Sequence, residues 1–286
     1  MKRALTLSFL ILAIAATVGC GGGSSTQNLQ QGNPAAAVFV TGEDAPLSSV
    51  VAFQVTLDSI TLNGASNSPQ VLAQPETVDF ARLVGLRSPL AFNAIPADTY
   101  TSATFVLASP VISWVDMTQT PPALGTPING TFPNNQNPYS VTVNFPTPMV
   151  VNANGLAGLR MEFDIRQSVA VNGSGQVTGA VNPLIYVKAT KASDPDGQVT
   201  DLMGGLVSVN AAGNSFLLQG PYGRQLTVYV NNSTLFNSGW SINNMATPEF
   251  VAVQGAFQAD GSLMATGVEV ITTAQSFLSG RVLAET

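Results

Sequence analysis

The sequence has no histidine and one cysteine in 286 residues, and only 9% of it is charged. Each shortage closes off chemistry. Without histidine there is no Ser-His-Asp or Cys-His triad, no His-ligated zinc and no imidazole acid–base step. One cysteine allows no intramolecular disulfide and no Cys-cluster metal site. Ten Lys and Arg against sixteen Asp and Glu give a net charge of −6, so no basic footprint exists for a nucleic-acid partner and none is expected. Typical soluble domains are about one quarter charged, so the polar surface here must come from Asn, Thr, Ser and Gln. The sequence also lacks a Gly-x-Ser-x-Gly elbow, a Ser-x-x-Lys pair, a P-loop and any amphipathic helix of ten residues or more.

What is present starts at the N-terminus. Met1-Lys2-Arg3 is a short positive segment, and Ala4 to Ala16 is an apolar run too short to span a bilayer. Small residues follow, and residues 1–19 read as a signal peptide. Thr17-Val18-Gly19-Cys20 resembles the bacterial lipoprotein lipobox, with Thr17 in place of the usual Leu. The resemblance implies lipidation of Cys20 by diacylglycerol and, after cleavage, an N-acyl chain such as palmitate. The membrane is then a partner through a lipid anchor, since more than one acyl chain holds a protein stably. Ordinary cleavage with a free thiol, or an uncleaved anchor, are the other readings. Gly21 after the cysteine implies, by resemblance to known sorting signals, an outer-membrane lipoprotein of the cell envelope, facing either the periplasm or the exterior. Cleavage would leave eight basic against sixteen acidic residues, so the acyl chains bind the membrane without help from a basic patch. Residues 20–36 read as the lipidated cysteine and a flexible tether, with a reach of roughly 20–25 Å.

The remaining chain reads as strands. Val38–Val40, Val50–Leu62, Thr101–Leu107, Tyr139–Phe145 and Leu184–Lys188 are β-branched, aromatic or alternating segments between turn clusters. In Leu159–Arg166, alternation puts Arg160, Glu162, Asp164 and Arg166 on one face and Leu159, Met161, Phe163 and Ile165 on the other. Val78–Val84 is the one candidate short helix. Asp194-Pro195-Asp196-Gly197 is a strong turn, and it opens a linker over residues 194–203. Gly205–Val209, Ser215–Gln219, Gln225–Val230, Phe250–Phe257 and Leu263–Ile271 then suit a small β-barrel over residues 204–286. Phe277-Leu-Ser-Gly280-Arg-Val282-Leu resembles Leu202-Met-Gly-Gly205-Leu-Val207. It reads as the strand that closes the barrel, or as an unpaired edge that invites a dimer.

Several segments are similar to uncharacterised families. Thr41-Gly-Glu-Asp44-Ala-Pro46, Asp58-Ser-Ile-Thr-Leu62, Ile95-Pro-Ala-Asp-Thr-Tyr100 and Leu159–Ser168 resemble domain of unknown function family four-three-eight-two. Gly205–Val209, Thr227–Val230, Ser233–Phe236, Val251–Gly255 and Asp260–Glu269 resemble domain of unknown function family five-six-six-six. Ile95–Tyr100 looks like the Pro-Ala-Gly-Thr-Tyr loop of transthyretin-like and carbohydrate-binding-like sandwiches, with Asp98 replacing the usual Gly. The resemblance implies an all-β fold: an N-terminal antiparallel β-sandwich over residues 37–193, then the small barrel. Neither family implies an activity.

Chemistry must come from carboxylates, hydroxyls and aromatics. Asp194, Asp196 and Asp201 lie within eight positions, and hard cations such as calcium take oxygen clusters of this kind; a linker turn accounts for the same residues without a metal. Glu43 and Asp44 with Glu162 and Asp164 form a second candidate set; solvation, or pairing with Arg160 and Arg166, accounts for Glu162 and Asp164 without a metal. No other cofactor is indicated. Tyr222 and Trp240 are candidate stacking platforms for a ligand, or core residues. The uncharged Asn/Pro stretch from Thr118 to Pro138 reads as a surface loop and the best place for recognition. The expected function is that of a non-catalytic, lipid-anchored envelope protein whose β domains bind a protein or glycan partner or serve a structural role. The alternative is a carboxylate-dependent glycan hydrolase. The oligomeric state stays open.

Overall fold

The computed structural model describes residues 35–220 and 225–271, apart from the side chain of Asp201. The chain is all-β. Strands β1 (Ala35–Ala45), β2 (Val50–Gly64), β3 (Glu76–Asp79), β4 (Ser88–Pro96), β5 (Asp98–Asp116), β6 (Ala123–Leu124), β7 (Ile128–Asn129), β8 (Tyr139–Val151), β9 (Leu156–Asp164), β10 (Val169–Val171), β11 (Val177–Val181) and β12 (Ile185–Thr190) build the sandwich region. Strands β13 (Val199–Asn210), β14 (Ser215–Gln219), β15 (Gln225–Tyr229), β16 (Leu235–Phe236), β17 (Phe250–Phe257) and β18 (Leu263–Ile271) build the barrel.

Two sheets make the sandwich. One has the order β12-β9-β1-β4; the other has β3-β2-β5, with β8, β7 and β6 pairing along the far edge of β5. Val38 and Val40 from β1, Leu159, Met161 and Phe163 from β9, and Phe53, Val55, Phe105 and Leu107 from the facing sheet fill the space between them. Their alternation with outward polar residues gives each strand one wet face. One pair in the first sheet, β1–β9, runs parallel; the rest of both sheets is antiparallel, as expected.

Strand β1 differs from its neighbours because it is buried on both faces. That is why it reads as an unbroken apolar run rather than an alternation. Val38 and Val40 face the sandwich core, while Phe39 belongs to the core of the barrel. Phe39 stacks on Phe257, and Phe257 on Phe92 of β4 at 5.8 Å. A side chain at Gly158 would start 2.2 Å from the Phe39 ring, so glycine there lets the ring lie flat on the sheet.

The barrel is a closed ring of five strands, β13-β14-β15-β18-β17. The closing pair is β15–β18, parallel through Val228 with Leu263 and Tyr229 with Met264. This corrects the expectation that residues 276–286 supply the closing strand: the ring is complete without them, and they lie outside the described residues. In place of a helix over Val78–Val84, β3 ends at Asp79 and a single 3-10 turn, Phe80–Arg82, buries Phe80. Alternation along Leu159–Arg166 also stops early. Asp164 accepts the Gln167 N–H at 2.9 Å and caps a helical turn, α1 (Ile165–Ser168). Within residues 194–203, Pro195–Gly197 is a 3-10 turn and β13 starts at Val199.

The Ile95–Tyr100 loop shows why aspartate serves where glycine is usual. Asp98 accepts the Ser66 and Asn67 N–H groups at 3.1 and 3.0 Å, tying the loop after β2 to the start of β5. Tyr100, fully buried, donates its hydroxyl to the Pro96 carbonyl at 2.8 Å, in the manner of a tyrosine corner. Burial, with the nearby Asp98 charge, pushes its phenol up to about 12.

Candidate functional site

Two polar constructions stand out. The first lies on the outward face of the β12-β9-β1 sheet. The parallel register sets Thr41 opposite Arg160 and Glu43 opposite Glu162, and β12 brings Lys188 beside Arg160. Arg160 reaches Glu43 at 2.7 Å, Asp196 at 3.4 Å and Glu162 at 3.6 Å, while Lys188 pairs with Asp196. The hydrogen bond from Lys188 holds Asp196 below the ordinary carboxylate range, against the effect of burial and helped by the charges of Lys188, Arg160 and Arg87. A catalytic acid needs the opposite shift. The Arg160 Nε and Glu43 Oε2 atoms are close enough for an ion pair yet not aligned as a hydrogen bond, and beside them the buried Thr41 hydroxyl has no partner among the described residues.

The carboxylates of the two expected metal sets therefore divide. Glu162 and Asp196 join the Arg160 network. Asp44 sits on the opposite face of β1, where its carboxylate accepts the Ile165 N–H at 3.4 Å, and Asp164 caps α1. Asp194 accepts the Lys191 N–H at 3.2 Å within its own turn. Among the described residues, no three His, Cys, Asp or Glu side chains gather to hold a metal ion. Trp240 is half-buried against the barrel core. Cys20, Tyr222 and the side chain of Asp201 lie outside the described residues, as do the expected signal peptide and nearly all of the tether.

The second construction is at the far end of β5. This strand runs 19 residues, at most about 60 Å. Its start, Asp98, lies two residues beyond Pro96, which pairs with Ala35, where the described chain begins. Its end, Asp116, opens the Asn/Pro segment. Asp116 accepts the Thr118 hydroxyl at 2.6 Å and its N–H at 3.0 Å, with Gln119 at 3.1 Å and Gln176 at 3.4 Å. The Thr118 bonds foremost hold the Asp116 carboxyl below its usual value. Trp114 lies against Gly125 and donates its indole N–H to the Thr126 carbonyl at 3.2 Å. Phe132 stacks on Tyr139 at 5.5 Å, and Gly130 donates to the Pro110 carbonyl at 2.7 Å.

This is a braced projection, and its tip carries Met117 and Leu124, 53% and 75% exposed. No Asp, Glu, Lys or Arg occurs from Met117 to Leu159. The sequence located the segment through its Asn and Pro content. It gave no sign of Met117 and Leu124 as the exposed pair, because an isolated Leu between Ala and Gly has no periodicity to assign it a face. A groove of about 250 Å³ lies at the root of the segment, between Phe132 and Pro133 on one side and Gln167, Ser168 and Val181 on the other.

Comparison with known proteins adds the lineage of the sandwich. No curated protein matches the chain. Among solved structures, a mutant of the shaft pilin SpaA from Lactobacillus rhamnosus GG aligns over 85% of this chain and 100% of that chain at 12% identity, with a TM-score of 0.12. A family model described as Domain of unknown function (DUF4382) matches residues 36–178, from β1 into β11. That span is half of the chain and contains both sheets of the sandwich except β12, together with the projection at the end of β5, so the protein belongs to the DUF4382 family.

Proposed function

We propose that this is a non-catalytic, lipid-anchored protein of the bacterial envelope that presents the segment Met117–Pro138 to a protein partner. One observation carries the reading: a single long strand separates the point where the chain enters the sandwich, Ala35, from a braced, uncharged tip exposing Met117 and Leu124. An anchor at Cys20 would join the sandwich through Ala35, at the end of the sheet where β5 starts rather than where it ends. An uncharged tip with two exposed aliphatic side chains matches the apolar centre of a protein interface. Its tryptophan, Trp114, is committed to the fold, lying against Gly125 with its indole N–H bonded to the Thr126 carbonyl, which favours a protein over a sugar ring as the partner. The outer-membrane address, the palmitate-type anchor and the resemblance of the barrel to family five-six-six-six belong to the same proposal.

The test is site-specific photo-crosslinking in the native envelope, from position 124 and, as control, from Val84, an exposed residue outside the segment. A discrete protein adduct from position 124 alone, with the chain released from the membrane fraction by Cys20→Ser, is the expected result. Adducts from both positions or neither would overturn the recognition reading. The hydrolase alternative would stand if purified protein cleaved envelope glycan and Glu162→Gln abolished the cleavage.

A further inference from the structure

The groove at the root of the projecting segment has a floor of small side chains and a rim of uncharged polar ones. Thr131 pairs with Ala180 of β11, donating its N–H to the Gly179 carbonyl and accepting the Val181 N–H, each at 2.9 Å. Strand β10 runs along the other side of β11 with Val169 opposite Val181, which sets Ala170 beside Ala180. Thr131, Ala180 and Ala170 thus lie in a row on one face of three paired segments, and all three are exposed.

The rim groups have hydrogen-bonding capacity to spare. Asp164 accepts both the backbone and the side-chain N–H of Gln167, which fixes the amide and leaves its Oε1 as an acceptor. Ser168 is 2% exposed; its hydroxyl accepts the Leu184 N–H at 2.9 Å and keeps its own proton to donate. The Thr131 hydroxyl and the Asn182 amide are exposed and make no side-chain hydrogen bond among the described residues. No charged side chain lines the groove. Asp, Glu, Lys and Arg are absent from Gln167 to Val187, as they are from Met117 to Leu159. The two uncharged stretches meet, since Gln176, in the turn after β10, donates to Asp116 at the base of the tip.

This chemistry selects one kind of occupant. A charged segment would lose its hydration and find no partner. A sugar ring would find no aromatic face, because Phe132 is buried and stacked on Tyr139. The volume of about 250 Å³ falls short of a cofactor-sized site. An extended peptide fits: its carbonyls and N–H groups match the amides and hydroxyls of the rim, and a small apolar side chain matches the methyl floor. Resting on the reading that the partner is a protein, we infer that the groove binds an extended, uncharged peptide segment of that partner, its backbone bonded to Asn182 and Gln167 and one small side chain seated on Ala170 and Ala180.

The experiment places the photo-crosslinker at position 133, in the side wall of the groove, in the full chain in its native envelope, alongside position 124. Mass spectrometry maps the partner residue in each adduct. The expected result is one protein from both positions, with the residue joined to position 133 lying in a stretch free of Asp, Glu, Lys and Arg. Asn182→Asp adds a charge at constant size, and Ala180→Leu fills the floor; each should lower the adduct yield at 124 at least tenfold with the urea midpoint unchanged. An adduct at 124 but not at 133, or a yield at 124 untouched by both variants, would overturn the groove and leave the tip reading standing. A glycan or a charged stretch joined to position 133 would overturn it as well. An adduct at 133 alone would keep the groove and overturn the tip, and no adduct at either position would overturn both.

Discussion

Phe39 of the sandwich stacks on Phe257 of the barrel, with ring centroids 5.1 Å apart and planes 24° from parallel. Phe39 is fully buried, so Phe39→Ala removes a large core side chain and one partner of the stack. A loss of about 3–5 kcal/mol is expected, read as a lower denaturation midpoint. Gly158→Ala should destabilise in the same assay, since the added methyl displaces the ring. No change from either would mean the stack does not join the two parts.

Arg160 holds three carboxylates. Arg160→Met keeps most of the packing volume and leaves Glu43, Glu162 and Asp196 with Lys188 and the charge of Arg87 as the remaining compensation. Because the group is partly exposed, the expected loss is about 1–3 kcal/mol, less than for a fully buried pair. Urea denaturation measures it, and raised salt should shrink the difference from wild type.

The buried Thr41 hydroxyl has no partner among the described residues. Replacing it by a methyl removes an unsatisfied polar group at nearly constant shape. Thr41→Val should therefore stabilise by about 1 kcal/mol, seen as a higher Tm. A lower Tm would show that the hydroxyl is satisfied by an ordered water.

Asp116 controls the acid response of the projecting segment. Its folded carboxyl lies below the ordinary 3.8 because Thr118 and Gln119 donate to the charged form. The contribution is complete above the ordinary value and is lost as pH falls through the folded one. Amide exchange in residues 117–127 should rise below about pH 4, and Asp116→Asn should show fast exchange at neutral pH with that step removed.

Tyr100 sets an alkaline limit. Its folded phenol is raised from 10 to about 12, so stability from this group is full below pH 10 and declines as pH climbs from there towards 12. Tyr100→Phe loses the bond to the Pro96 carbonyl, costing about 0.5–1.5 kcal/mol, and should flatten that alkaline decline in stability measured against pH.

Much of this architecture is legible in the chain. Tyr139–Phe145 alternates in the sequence and in the sandwich, and the strand set after Gly204 matches the barrel closely. Local pattern fails where a distant partner decides. The parallel pairing of β1 with β9 joins residues more than a hundred positions apart, and nothing in either segment states its direction. The ion network shows the same limit. Glu162 and Asp196 fall in separate candidate sets, and only the turn after β12 brings Asp196 onto Arg160. At Asp164, side-chain capping of the next turn overrides strand alternation.

Strand β1 donates Phe39 to a core cluster whose other buried members run from Val199 onward, with Phe92 and Leu156 of the sandwich packed at its edge. A fragment cut anywhere between Thr190 and Val199 would therefore expose the ring in its first half and leave a hole in its second. The two halves are expected to unfold in one transition, and the smallest piece expected to fold by itself is the whole stretch from Ala35 to Ile271.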